Sequence, residues 1–236
     1  MSQDFAFHQI GVVHSCFHGK FGIPRQPGLV QEARGTIEFL PPYNQENLVR
    51  GLEQFSHIWV LFVFHLSMRE HWKGTVRPPR LGGDTRIGVM ATRSPFRPNP
   101  IGLSVVKLEG IEKRPSHLSL AVSGLDILDG SPVLDVKPYL PYADALANAQ
   151  GGFAATTPDT SALQVRFADE CLDALEFQET RHPGYRALAV KLLAGDPRPA
   201  YQDLPEKEYD LFLYDTEIAF RCKEGVATVF RISSLT

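Results

Sequence analysis

Residues 58–64 read IWVLFVF. Seven consecutive aliphatic and aromatic residues, rich in β-branched and ring side chains, predict a strand, and their unbroken apolarity predicts one buried on both faces. The run is much too short to cross a bilayer as a helix. Similar short stretches surround it. FAFHQIGVV (5–13) and GTIEFL (35–40) come before; RIGVMA (86–91), IGLSVVKLEGIE (101–112) and HLSLAVSGLDI (117–127) come after. DGSP at 129–132 is turn chemistry and leads into VLDVKPYL (133–140). One helix is expected, over NQENLVRGLEQ (44–54), with Asn44 placed to cap it. Many short strands with little helix predict a closed or nearly closed barrel.

The composition changes near residue 143. ADALANAQGGFAATTPDTS is rich in Ala, Gly, Thr and Ser and reads as a linker. Beyond it, LQVRFA (163–168) predicts a strand. Two helices are expected near 169–180 and 184–194, the second ended by AGDPRPAY (194–201). Strands near 209–221 and 226–233 close the chain. The expected organisation is a mainly β-barrel N-terminal domain over 1–145, a linker over 146–160, and a small α+β C-terminal domain over 161–236.

The net charge of -3 hides an uneven distribution. Residues 65–107 carry eight basic side chains against Glu70 and Asp84, a local charge of +6, and the rest of the chain is at -9. A basic face on an acidic protein suits an anionic partner. Cys16, Cys171 and Cys222 are few, odd in number and far apart, which argues against a disulfide framework. With no signal-peptide pattern at the start, a cytoplasmic location without membrane contact is expected.

Neither a Rossmann fingerprint, a Walker loop nor a G-x-S-x-G elbow occurs. HSCFH (14–18) places His14, Cys16 and His18 together but lacks a second ligand pair, so it reads more simply as the end of a strand. Asp126, Asp129 and Asp135 surround the DGSP turn. Such carboxylates hold magnesium in metal-dependent nucleases, yet turn chemistry alone accounts for Asp129, and no metal is expected. Three loops share a stiffer character: IPRQPG (23–28), RPPRLGGD (77–84) and ATRSPFRPNPIG (91–102). Proline fixes φ and restricts the residue before it, so each loop holds its arginines at low entropic cost. His65, at the end of the apolar strand, falls at the rim of the barrel.

FGIPRQPGLV, GLEQFSHIWVLFVFH, TVRPPRLGG, ATRSPFRPNPIGLS, LDILDGSPVLDVKPYLPYA and DPRPAY together resemble the TrmO family, formerly YaeB, across the whole chain. The resemblance implies a β-barrel methyltransferase, usually a homodimer. It would use S-adenosylmethionine to methylate N6 of N6-threonylcarbamoyladenosine beside the anticodon of threonine tRNA. Carried onto this sequence, it implies a donor pocket built by Pro24, Arg25 and Gln26; His65 and Leu66; Arg93; Leu103; and Asp126, Ile127, Leu128 and Asp129. DVKPY offers Asp135 as a proton acceptor, Lys137 as a clamp and Tyr139 as a stacking face. Arg97 or Lys137 would hold the threonyl carboxylate, and Arg69, Lys73 and Arg77 would meet the anticodon loop. The alternative is a barrel that binds tRNA without chemistry.

Overall fold

In the computed structural model, which describes residues 4–198, 204 and 206–235, the strands are β1 (Gly11–Ser15), β2 (Arg34–Phe39), β3 (His57–Val63), β4 (Thr75–Val76), β5 (Ile87–Gly88), β6 (Ile101–Arg114), β7 (His117–Ser123) and β8 (Pro132–Pro138). After the short helix α1 (Pro141–Asp144) come β9 (Gln164–Phe167), α2 (Leu172–Arg181), α3 (Tyr185–Ala194), β10 (Tyr209–Leu213), β11 (Thr216–Lys223) and β12 (Val226–Ser234). Alternation governs β3. Ile58, Val60 and Phe62 are buried, while Trp59, Leu61 and Val63 are partly covered. The expectation of burial on both faces is therefore corrected. The inward residues carry the core, each burial contributing about 1.5–3 kcal/mol. On the outward side, Trp59 is covered by the chain's own later segment. Trp59 packs against Tyr139 with ring centroids 5.9 Å apart, and its Nε1 donates to Asp144 Oδ2 at 3.0 Å.

Antiparallel pairing closes β1-β2-β7-β6-β3-β8 into a six-stranded barrel. Opposite Phe62 on β6 stands Gly102. A Cβ there would lie 2.2 Å from the Phe62 ring, so only glycine lets that ring lie flat across β6 at the barrel mouth. The helix expected over 44–54 is instead two short 3-10 turns, Glu46–Val49 and Leu52–Gln54. Arg50 is extended and Gly51 sits at φ +88° between them. Asn44 does not cap: its side-chain amide donates to the Ser116 carbonyl at 2.9 Å. The 86–91 stretch also leaves the barrel. β5 pairs with β4 as a separate two-stranded ribbon, so 65–100 forms an excursion between β3 and β6.

The C-terminal part is a four-stranded sheet in the order β10-β11-β12-β9, mixed because β9 runs parallel to β12, with α2 and α3 packed with it. Tyr185, Leu188, Leu193, Leu211 and Phe220 fill its core. It is joined to the barrel by backbone. Tyr214 N donates to the Cys16 carbonyl at 2.8 Å, and Phe17 bridges Leu213. Phe21 stacks on Tyr209 at 6.1 Å, so one apolar cluster runs through both parts. Among the described residues no helix is long and apolar enough to cross a membrane.

Candidate active site

The proline loop at 91–102 is locked by its own small polar side chains. Thr92 Oγ1 donates to the Val89 carbonyl at 2.8 Å and accepts from Ser94 N at 3.2 Å; Ser94 Oγ accepts from Phe96 N at 3.2 Å. Arg97 folds back, with Nη1 donating to the Thr92 carbonyl at 3.3 Å. Phe64 N donates to the Pro100 carbonyl at 2.8 Å, pinning the loop to the end of β3. Fixed in this way, the loop holds Arg93 out beside the loop at 23–28, where Nη1 donates to Gln26 Oε1 at 2.5 Å.

These loops enclose a cavity of about 490 Å³ at the barrel mouth, within the range of small-molecule sites. Pro24, Arg25, Gln26, His65, Leu66, Arg93, Leu103, Asp126 and Leu128 all line it, with Phe62 and Phe64 as its apolar floor. Segments separated by as many as a hundred residues thus meet around one cavity. Two expected members do not reach it. Ile127 is fully buried in the core, and its carbonyl accepts from Ser15 Oγ at 2.8 Å. Asp129 turns away: its Oδ1 accepts from Ser15 N at 2.8 Å, which ties the turn to β1. Alternation of direction along 126–129 separates neighbours in sequence.

Asp126 is the sole Asp or Glu among the described residues lining this cavity. Its Oδ1 accepts from Ser104 Oγ on β6 at 2.6 Å. Burial pushes its carboxyl up to about 6, against the opposing pull of Ser104, its own backbone and the Arg93 guanidinium. A carboxylate poised this way gains from any cation placed beside it. The pocket therefore offers the cations Lys20, Arg25, Arg93 and Arg97, one largely covered acid and apolar surface, which suits a small molecule carrying both charge and apolar groups.

Arg25, Gln26, Ser67, Thr92, Arg93, Pro95 and Arg97 are shared with a second cavity of about 1330 Å³. It lies under the 65–100 excursion and against the 151–158 segment. Arg69, Lys73, Arg77, Arg80 and Arg86 line it, and no Asp or Glu among the described residues does. The sequence reading found Arg69, Lys73, Arg77 and Arg97. It passed over Trp72, Phe96 and Phe153, although aromatic residues interleaved with a basic run are a readable signal. The segment expected as a plain linker forms one wall. Arg80 Nη2 donates to the Thr156 carbonyl.

Residues 12–145 match the family described as the tRNA-methyltransferase O N-terminal domain, and residues 160–235 match the TrmO C-terminal domain. The chain belongs to the TrmO family. It is 46% identical to the tRNA (adenine(37)-N6)-methyltransferase of Escherichia coli K12, over 97% of each chain. It is 47% identical to a putative S-adenosylmethionine-dependent methyltransferase, RcsF, of Pseudomonas aeruginosa, over 89% of each. The crystal structure of TrmO from P. aeruginosa superposes with a TM-score of 0.80 at 39% identity, over 99% of both chains. This TrmO chain is accordingly a methyltransferase, with the closed barrel and mixed C-terminal domain of its relatives.

Other expected residues lie elsewhere. Asp135 Oδ2 pairs with Lys137 Nζ at 2.7 Å, on the side of β8 facing away from the core-packed Val136. Tyr139 packs on Trp59. Within one chain none of these three lines either cavity. Of HSCFH, His14 pairs with Glu38 at 2.9 Å, and Cys16 is fully buried, which pushes its thiol up to about 12 and removes it as a nucleophile. The DPR turn does approach the donor side. Asp196, at φ +48°, accepts a forked pair from Arg198 Nε and Nη2 at 2.8 and 2.9 Å. Burial alone would raise its carboxyl, but Arg198, together with the charge of Arg25, holds it below the usual range. The remaining Pro199–Tyr201 of DPRPAY lies outside the described residues.

Proposed function

We propose that the protein transfers a methyl group from S-adenosylmethionine to N6 of N6-threonylcarbamoyladenosine beside the anticodon of threonine tRNA. The observation that carries this reading is the continuity of the two cavities. A small pocket with a basic side and one acid shares a wall, Arg25, Arg93 and Arg97 among it, with a larger basic space of a kind that suits a polyanion. S-adenosylmethionine, bound in the small pocket, supplies a methyl group on a sulfonium that is ready for displacement.

The residues divide the remaining work. Arg93 meets the methionyl carboxylate with a charge-assisted bond, and Asp126 accepts from the donor's polar edge. Phe62, Phe64 and Leu103 exclude water and line the path of approach. The attacking nitrogen belongs to a ureido group, whose delocalised lone pair makes loss of its proton part of the reaction. Asp126 and His65 are the acid and imidazole side chains of the lining that can accept it. This role passes to them from Asp135, which stands outside the pocket of its own chain. Arg97, lining both cavities, is placed for the threonyl carboxylate, whereas Lys137 is paired to Asp135.

Labelled donor offered to tRNA with and without the threonylcarbamoyl group tests the reading. Label is expected in the modified tRNA alone. Equal labelling of both would overturn the substrate, and no labelling of either would overturn the reaction.

A further inference from the structure

The larger cavity holds more than charge. Trp72, Phe96 and Phe153 line it and are 56%, 39% and 40% exposed. Single exposed rings need no explanation. These three come from three separate segments: the excursion after β3, the proline loop, and the stretch between the two domains. They do not pack on one another or on any other ring among the described residues. The ring-centred contact among them is the Arg69 guanidinium, 4.1 Å over Phe96.

The chemistry of the occupant follows from this combination. Arginines without acids call for a polyanion, and three rings that no other ring covers, one of them already topped by a guanidinium, call for planar groups. An acidic peptide satisfies the first alone. A double helix satisfies the first but keeps its base faces stacked inside. Unpaired RNA satisfies both. Resting on the tRNA reading above, we propose that Trp72, Phe96 and Phe153 are stacking partners for unpaired anticodon-loop bases that flank the target nucleotide. Arg80 is a positioning residue for this platform. Its guanidinium holds the Thr156 carbonyl and so keeps the 151–158 strap, and Phe153 on it, across the cavity.

The chain has two tryptophans, so Trp59→Phe leaves Trp72 as the sole indole reporter. Titration of that variant with a synthetic anticodon stem-loop is expected to quench Trp72 emission saturably; a fully paired, blunt-ended RNA duplex of equal charge and polyglutamate are expected to leave it unchanged. In the otherwise native protein, Phe153→Ala and Arg80→Ala should each raise KM for tRNA about tenfold, the loss of roughly one stacked base. Phe153→Trp should restore it, and donor affinity by calorimetry should stay at the native value in all three. Methyl transfer without quenching, quenching by polyglutamate, or an unchanged KM in Phe153→Ala would each overturn the platform. Quenching without methyl transfer would instead overturn the proposed reaction and leave the platform standing.

Discussion

Arg93 Nη1 donates to Gln26 Oε1 at 2.5 Å, joining two proline-stiffened loops that lie 67 residues apart in the chain. The contact fixes a guanidinium at the mouth of the smaller cavity before any ligand arrives. Arg93→Ala removes a charge-assisted bond worth roughly 1.5–3 kcal/mol. Donor affinity should fall tenfold or more while the fold survives, because Arg93 is exposed. Gln26→Ala removes only the brace and should cost less. Calorimetry on both variants checks the order; equal dissociation constants for Arg93→Ala and the native protein would return Arg93 to the loop surface.

Asp126 sets a pH dependence whose sign is fixed by its environment. Its carboxyl, ordinarily near 3.8, is pushed up to about 6 by burial. The folded protein therefore binds its proton more tightly than the unfolded chain does. Stability from this group is full below about 4 and is lost as pH rises through 6, by up to about 3 kcal/mol. Asp126→Asn should flatten that slope in thermal unfolding followed from pH 4 to 7. Donor binding should run the other way. The ionised form receives a cationic ligand, so affinity should increase from pH 5 to 7 and then level. An affinity independent of pH over that interval would remove Asp126 from the donor's contacts.

The barrel was legible because its strands are short, β-rich and punctuated by turns. The misread parts share a cause: covering surface came from distant sequence. On the outward side of β3, Trp59 is met by Tyr139 and by Asp144 of α1, and nothing within 58–64 announces them. The 44–54 segment has helical spacing, but Gly51 takes a left-handed conformation and Asn44 spends its amide on Ser116. In the site, Arg93 and Asp126 were reached through the resemblance. Ile127 and Asp129 were carried along with Asp126 as neighbours, but in the irregular segment and turn between β7 and β8 one points inward and the other to Ser15. The larger cavity was not legible, since it forms only when the 65–100 excursion meets residues 151–158.

Gly22 packs against the C-terminal sheet with no room for a side chain. It sits at φ +85°, and a Cβ there would lie 2.0 Å from Leu211 Cδ1. Gly22→Ala combines left-handed strain with overpacking of a buried leucine. Destabilisation of about 2–3 kcal/mol is expected in denaturant titration. A stability within error of the native protein would mean that the barrel and the C-terminal sheet yield easily at this joint.

The face bearing Asp135, Lys137 and Tyr139 continues into Tyr142 and Leu146, which are 86% and 71% exposed. Large apolar side chains so open beside an ion pair fit an interface between copies, and we expect a homodimer. Light scattering should give twice the 26.3 kDa chain mass, and Tyr142→Asp should shift the population toward monomer. A native protein at the single-chain mass at working concentration would reject the dimer.

Salt separates the residues that grip phosphate from those that read the base. Arg69, Lys73 and Arg77 line the larger cavity away from the donor pocket, whereas Arg97 borders both. If roughly three to five cations of this cavity meet phosphates, the logarithmic dependence of tRNA affinity on salt should have a slope of about -2 to -5. Lys73→Ala and Arg77→Ala should each reduce that slope by roughly one and weaken modified and unmodified tRNA alike. Arg69→Ala should reduce the slope by a similar amount. Arg97→Ala should leave the slope nearly intact and abolish the preference for threonylcarbamoylated tRNA, since the charge it meets is on the base. Filter binding at several salt concentrations with both tRNAs measures all four variants in one format. A native slope in Lys73→Ala and Arg77→Ala together would move the tRNA face off this cavity, and a retained preference in Arg97→Ala would pass the threonyl carboxylate to Arg93 or Arg25.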